Sequence, residues 1–275
     1  MNIQNADGDT ELMVNIINSD IQSCFVYIDK IEKLGLTNFL DIQNNLHQTA
    51  LHLAVICREF QLAKRLIETG ATVTLQDSKG RTPLHIACER GDYNMIECFW
   101  FKLEELNEIR DYEGRTFIHY LVCGNFTYLL EYVIGFGAAI NVKDGKRGMT
   151  PLHFASIMGK THVVAYLLSR LDIEVNPVNF ELKTPLDYAK NEAIRKLLEI
   201  KGGENGAKTM ECHDIIDCKS VCSICQEDTK LVQTECCSQV FHQSCLKNWQ
   251  RQSSSCPLCR KMIYTKVCDK FVKNS

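Results

Sequence analysis

The sequence predicts a mostly α-helical protein: a solenoid of stacked helix pairs, followed by a small domain held by two zinc ions. Two observations carry this reading. A phrase of the form Thr-Pro-Leu-His-x-Ala returns every 33 to 34 residues, anchored at Thr49, Thr82, Thr116, Thr150 and Thr184. Eight zinc-ligand side chains crowd the last quarter of the chain: Cys222, Cys225, Cys236, Cys237, His242, Cys245, Cys256 and Cys259. They fall as CxxC, CC, HxxC and CxxC, and tetrahedral zinc takes four ligands, so eight fill two sites with no position left for water.

Composition frames both parts. A chain of 275 residues with 45% apolar side chains has room for one long or two ordinary globular domains. Net charge is -3, and from Cys212 onward nine Lys/Arg stand against six Asp/Glu, which predicts no direct nucleic-acid binding. No apolar run approaches 18 residues, so no membrane span is expected. The opening MNIQNADGDTELM lacks a basic n-region and an apolar h-region, which predicts no secretory signal. Fifteen cysteines without such a signal fit reduced thiols in the cytosol or nucleus, seven of them on zinc.

Each repeat unit has a local rationale. Threonine caps the first helix, and proline after it sits in the first turn, where a missing N–H costs little. Ala54, Ala87 and Ala155 keep that helix close to its neighbours. A second, amphipathic helix follows, as at 61–68 and 162–169, with Leu66, Ile67, Leu167 and Leu168 facing the stack. Turn-rich tips lie between units at Asp77, Asp111, Asp144 and Asn179.

These features resemble the ankyrin repeat, over about residues 10–200. Four near-complete units begin around Gln48, Arg81, Arg115 and Met149. A degenerate unit (residues 1–47) is expected to cap one end, and the shortened TPLDYAKNEAIRKLLE the other, since end units trade apolar outer faces for polar ones. The repeats then fill 48–200. The third unit departs from the pattern: after Trp100 it reads FKLEELNEIRDYEG, without Gly-Ala before the tip, which predicts a local change in curvature. The resemblance implies a structural hydrogen-bonding role for His52, His85, His119 and His153, against the alternative of metal binding or catalysis. Segments 43–56, QNNLHQTALHLAVI, and 80–92, GRTPLHIACERGD, also look like the inhibitor-of-NF-kappaB proteins, which bind Rel-type transcription factors. The DSG phosphodegron of those proteins is not evident in the first 40 residues.

Residues 201–217 read as a linker, with Gly202, Gly203 and Gly206 among polar residues predicting flexibility. Beyond it, SIC, FHQSCLKNW and CPLCR complete the zinc-ligand series over 218–264, and this order resembles a RING finger of the two-zinc cross-brace type. The resemblance implies interleaved sites: Cys222, Cys225, His242 and Cys245 in one, and Cys236, Cys237, Cys256 and Cys259 in the other. The adjacent Cys236 and Cys237, with Gln239 where His is common, depart from the family pattern. The RING resemblance further implies binding of a ubiquitin-conjugating enzyme. Ile224, Trp249, Pro257 and Leu258 would form the docking face, and Arg260 would bridge enzyme and ubiquitin through its guanidinium fork. Trp249 as RING core and Arg260 as a solvated charge are the plainer alternatives. Residues 265–275 form a tail without a recognisable module.

The function expected from this combination is a RING-type ubiquitin ligase that recruits a protein substrate on its ankyrin stack. The other readings are an inhibitor of a Rel-type factor with a self-regulating RING, and a scaffold whose RING mediates assembly only. Lys79, Tyr112, Lys146, Arg147 and Phe180, at the tips, are the candidate substrate contacts, with simple solvation as the alternative. Cys24, Cys57, Cys88, Cys98 and Cys123 sit in apolar helical patterns and read as small core hydrophobes. Cys212, His213, Cys218 and Cys268 flank the RING and read as spare, since eight ligands already fill both sites.

Overall fold

The computed structural model describes residues 4–206 in full, and the backbone of residues 231–233 and 240–242. Contacts divide the chain into two compact units, Met1–Thr209 and Met210–Ser275.

The first unit is a right-through succession of helix pairs. The pairs are α1 (Glu11–Ile17) with α2 (Ile21–Lys33), and α3 (Ala50–Cys57) with α4 (Phe60–Thr69). The third repeat has α5 (Pro83–Arg90), α6 (Tyr93–Glu97) and α7 (Leu103–Leu106). Then come α8 (Phe117–Cys123) with α9 (Thr127–Gly135), and α10 (Pro151–Met158) with α11 (Thr161–Ser169). The last repeat keeps only α12 (Glu192–Ile200), its TPLDYA first helix being reduced to turns. First helices pack on first helices: α1 on α3, α3 on α5, α5 on α8, and α8 on α10. Leu51, Ala54, Leu84, Ala87, Leu121, Leu152 and Ala155, all on these first helices, are wholly buried. The alanines matter because a larger side chain would hold the helices apart.

Capping threonines explain where first helices begin. At Thr49, Thr82, Thr116 and Thr150 the backbone N–H donates to Nδ1 of the histidine three residues on, at 3.1, 3.2, 3.2 and 3.1 Å. That contact fixes the tautomer, because an Nδ1 that accepts carries no proton and Nε2 must. Nε2–H then donates to a main-chain carbonyl of the following repeat: Arg81 at 3.1 Å, Arg115 at 3.3 Å, Met149 at 3.1 Å and Lys183 at 3.0 Å. The four histidines are therefore joints between repeats, as the ankyrin resemblance implies.

Tips are closed by Asx side chains. Asp77 Oδ1 accepts from the N–H groups of Lys79 and Arg81, both at 2.9 Å. Asn5 and Asn44 do the same for Asp7, Asp9, Leu46 and Gln48, so the first 47 residues carry two tips and a full helix pair. Thr10 caps α1 by accepting from Met13 N–H. Each tip then bonds to the next: Asn45 N–H to Asp7, Ser78 to Leu46, Tyr112 to Lys79, Gly145 to Gly114, and Phe180 to Arg147, all main chain.

One expected departure takes a definite form, and one expectation needs correction. The third repeat's second helix is broken: α6 spans five residues, a 3-10 turn follows at Trp100–Lys102, and α7 adds four. The missing Gly-Ala thus appears as a helix break. The start of the linker, 201–206, is not a free joint. Asn176 Nδ2 donates to Gly202 O (2.9 Å) and its Oδ1 accepts from Glu204 N–H (2.8 Å). Asn107 clasps Gly137 and Ala139 in the same way, and Asn141 clasps Asp172 and Glu174. Residues 202–204 are thus the last repeat's own post-helix loop. Asp187 stands where other repeats have histidine. Its Oδ2 accepts from Thr184 N–H and Gly206 N–H, both at 2.7 Å.

Of the second unit, two short strands are described: β1 (Leu231–Gln233) and β2 (Val240–His242), antiparallel, with Val232 opposite Phe241.

Candidate functional site

The tips form a continuous row along the stack. Lys79, Tyr112, Lys146, Arg147 and Phe180 all lie on it and all are exposed, Tyr112 to 66% and Phe180 to 46%. The main-chain ladder sets their order by joining Tyr112 to Lys79 and Phe180 to Arg147. Both rings lie against a glycine. A Cβ on Gly80 would fall 2.5 Å from Tyr112 Cδ1, and one on Gly148 would fall 2.6 Å from Phe180 Cδ1. These glycines have φ of +75° and +69°, so each is needed for its backbone and for the room its neighbour occupies. Lys146 pairs with Glu113 at 2.7 Å and Lys183 with Glu181 at 3.3 Å; both pairs are exposed and contribute little to stability. The row offers cations, two aromatic faces and main-chain groups, which suits recognition of a protein surface.

Below the tips lies a network that sequence reading missed. Tyr120 Oη donates to Asp111 Oδ2 at 2.6 Å, while the Arg115 guanidinium reaches the same oxygen at 3.1 Å and the Tyr120 hydroxyl at 3.1 Å. Arg115 also lies 4.6 Å from the centroid of the Tyr120 ring. Burial alone would raise the Asp111 carboxyl, but the Tyr120 and Arg115 hydrogen bonds hold it below its usual value. The same balance holds at Asp77, where burial is outweighed by main-chain and guanidinium bonds from Arg81. Tyr120 and Asp111 stand nine residues apart, as do Tyr188 and Asn179, which bond at 3.0 Å. That spacing was the available signal.

Burial lowers the four joint histidines, His85 and His119 to about 4, and keeps them neutral. Burial also raises the thiols, Cys24 to about 11 and Cys98 to about 12. Cys24, Cys88 and Cys98 are core residues; Cys57 is exposed and Cys123 half-buried, unlike the expectation for the set. No group of three His, Cys, Asp or Glu among the described residues could hold a metal, and no helix among them is long and apolar enough to cross a membrane.

The expected zinc ligands Cys222, Cys225, Cys236, Cys237, Cys245, Cys256 and Cys259 lie outside the described residues, as do Ile224, Trp249, Pro257, Leu258 and Arg260. His242 ends β2, of which the backbone alone is described.

Comparison with known proteins reads the two units separately. The family model "Ankyrin repeats (3 copies)" matches three times, over residues 29–102, 59–144 and 118–209. The chain belongs to the ankyrin-repeat family. This ankyrin-repeat protein also matches the "Ring finger domain" model over 220–260. It is 28% identical over 200 residues to the NF-kappa-B p105 subunit of Gallus gallus, covering 72% of the chain and 20% of that protein. It is 32% identical over 143 residues to the NF-kappa-B inhibitor alpha of Homo sapiens, covering 50% of the chain and 44% of that protein. The chain thus spans less than half the length of these relatives. Among solved structures, the ankyrin repeat domain of Bcl-3, a member of the IkappaB protein family, matches with a TM-score of 0.64 at 28% identity. That match covers 72% of this chain and 88% of that one. The human ASB11 ankyrin repeat domain matches with a TM-score of 0.55 at 23% identity, over 71% of this chain and 85% of that one, which speaks to fold alone. This ankyrin-repeat protein therefore joins ankyrin repeats similar to those of Bcl-3 to a RING finger match.

Proposed function

We propose that this protein is a RING-type ubiquitin ligase that holds a protein substrate on its ankyrin stack beside a ubiquitin-charged conjugating enzyme. The observation that carries the reading is the union, in one chain, of a tip row suited to protein recognition and a Ring finger match over 220–260. The donor set fits zinc: seven thiolates and one imidazole in four pairs, with no position left for water. Cys222, Cys225, His242 and Cys245 would hold one ion, and Cys236, Cys237, Cys256 and Cys259 the other. Bound zinc would supply folding free energy to a segment too short for its own core.

In the transfer step a substrate lysine amine attacks the thioester carbonyl on the conjugating enzyme, whose thiolate leaves. No bond forms to this chain. Its contribution is positioning: Ile224, Trp249, Pro257 and Leu258 dock the enzyme, and Arg260 donates hydrogen bonds that restrict the ubiquitin. Such restriction is worth on the order of several kcal/mol. Lys79, Tyr112, Lys146, Arg147 and Phe180 tether the substrate and raise its effective concentration. A reducing compartment, cytosol or nucleus, keeps the ligands as thiolates.

The test is ubiquitin transfer with a panel of conjugating enzymes, comparing wild type with an Ile224→Ala, Arg260→Ala double variant. Activity lost in the variant supports a ligase; none in a wild type loaded with zinc refutes it. Similarity to the NF-kappa-B inhibitor alpha and to Bcl-3 favours a second reading, an inhibitor of a Rel-type factor. Under it, a Rel-type protein binds wild type and double variant equally and is not ubiquitinated.

A further inference from the structure

The second helices of the third and fourth repeats carry a continuous row of aromatic rings. Tyr93 meets Tyr132 at 5.1 Å between centroids, Tyr132 meets Phe136 at 4.9 Å, Phe136 meets Trp100 at 5.7 Å, and Trp100 meets Phe101 at 5.6 Å. The contacts are edge-on or tilted, the arrangements such rings prefer. Yet Trp100, Phe101 and Phe136 are 49%, 50% and 47% exposed.

The solenoid does not require two of these rings, Phe101 and Phe136. Counted from the capping threonines, Phe101 stands where the second and fifth repeats carry Glu68 and Ser169. Phe136 stands where they carry Thr69 and Arg170. Polar residues serve the stack at both places. The helix break at Trp100–Lys102 falls on the same patch and turns Trp100 and Phe101 outward. A contiguous, half-exposed apolar surface in which two rings replace polar residues marks an interaction site.

Charge indicates the occupant. Residues 93–106 and 127–136 bear Glu97, Glu104, Glu105 and Glu131 against one cation, Lys102, which is already paired with Glu105 at 2.7 Å. Lys64 of the second repeat acts on Cys98 from the side. After burial and Tyr93, Glu97 is the next cause raising the Tyr132 hydroxyl, so a carboxylate borders the rings themselves. A second copy of the chain would meet this face with its own identical face in a two-fold dimer, setting carboxylates against carboxylates. A basic segment finds both of its needs here: carboxylates for its cations, and ring faces for cation–π and apolar contact.

We infer that this face is a second docking site, separate from the tip row, for a lysine- or arginine-rich segment of a partner protein that also presents apolar side chains. It is independent of the ligase reading, since neither the tips nor the RING contributes to it.

The test uses the full-length protein and a fluorescein-labelled synthetic peptide of leucine and lysine at helical spacing, with a leucine–glutamate peptide as control. Fluorescence anisotropy reads binding at low and at physiological salt. The lysine peptide is expected to bind and the glutamate peptide not to. Phe101→Ser with Phe136→Thr, residues that other repeats already carry, weakens binding at least tenfold. Glu97→Gln with Glu131→Gln weakens it several-fold and flattens its salt dependence, and does so even if the first variant proves unstable. Lys79→Ala with Arg147→Ala, at the tips, leaves it unchanged. Equal binding by both peptides, or undiminished binding by the carboxamide variant, overturns the proposal. A dimer in sedimentation that Phe101→Ser with Phe136→Thr dissociates overturns it too, by making the occupant a second copy.

Discussion

The Nε2 of His119 lies 3.1 Å from the main-chain oxygen of Met149, so the side chain that caps one repeat also closes the joint to the next. One neutral imidazole serves both ends because its Nδ1 accepts from Thr116 N–H at 3.2 Å while its Nε2–H donates. Protonation would force Nδ1 to donate towards a donor and break the cap.

Acid should therefore loosen the stack in a defined window. Burial lowers His85 and His119 from 6.5 to about 4 in the folded protein. A depressed pKa on a base favours the neutral folded form, so the stability is full above pH 6.5 and is lost as pH falls from 6.5 towards 4. Each group contributes on the order of 3 kcal/mol across that window. Urea unfolding midpoints measured between pH 7.5 and 4.5 check this. His119→Gln should be less stable at pH 7.5 and show a shallower pH slope; an unchanged slope would contradict the joint's role.

Tyr120→Phe should cost about 2–3 kcal/mol, through the loss of the hydrogen bond donated to Asp111 and the one accepted from Arg115. The ring stays in place beside His85, at 5.7 Å, so a packing effect is not expected. Chemical denaturation reads the change, and a double-variant cycle with Arg115→Lys should show coupling between the two.

Two glycines with similar backbones should respond differently to alanine. Gly35 (φ +65°) has open space around its missing Cβ, so Gly35→Ala carries only the left-handed penalty, about 1 kcal/mol. Gly80 (φ +75°) faces both the ring and the main-chain nitrogen of Tyr112, so Gly80→Ala should cost clearly more, upwards of about 2 kcal/mol. Comparable midpoints for the two would show that the Tyr112 contact is easily relieved.

Asp187→Ala removes the acceptor for Thr184 and Gly206 N–H groups. A loss of about 1–3 kcal/mol is expected, concentrated at the end of the stack. Limited trypsin digestion should then cut faster at Lys201, while sites in the central repeats keep wild-type rates.

Zinc should be separable from the stack. Wild-type protein is expected to hold about two zinc ions per chain by elemental analysis. Chelation should abolish ubiquitin transfer and leave the helical circular dichroism of residues 11–200 nearly unchanged. Loss of the helical signal on chelation would mean that the two units depend on each other to fold.

What the sequence made legible follows from where one residue type decides the local structure. Threonine with histidine three residues later writes a cap, so the first helices α3, α5, α8 and α10 were readable from their phrases. The Asn5 and Asn44 tips were not, because NADGDT keeps the glycine but leads into TELM instead of the repeated phrase, and NNLHQT lacks the glycine. Counting back five residues from Thr10 and Thr49 would have found both. Residues 201–206 misled by composition: three glycines and polar neighbours read as a joint, and the clasp that orders them comes from Asn176, far back in the chain. The aromatic row was invisible because Trp100, Phe101 and Phe136 are scattered across two repeats and align only once the helices stack. The RING contacts could be read from ligand spacing and family likeness alone.

The joint between repeats has a consequence for how such a chain can change over time. Its acceptor is always a main-chain carbonyl, supplied in turn by Arg81, Arg115, Met149 and Lys183, four residues with unlike side chains. The joint is blind to what those positions carry. Recombination can therefore exchange one repeat for another, and mutation can rewrite the side chains shown at the surface, without disturbing the bond that holds neighbours together. Partner choice is free to drift while the scaffold stays the same.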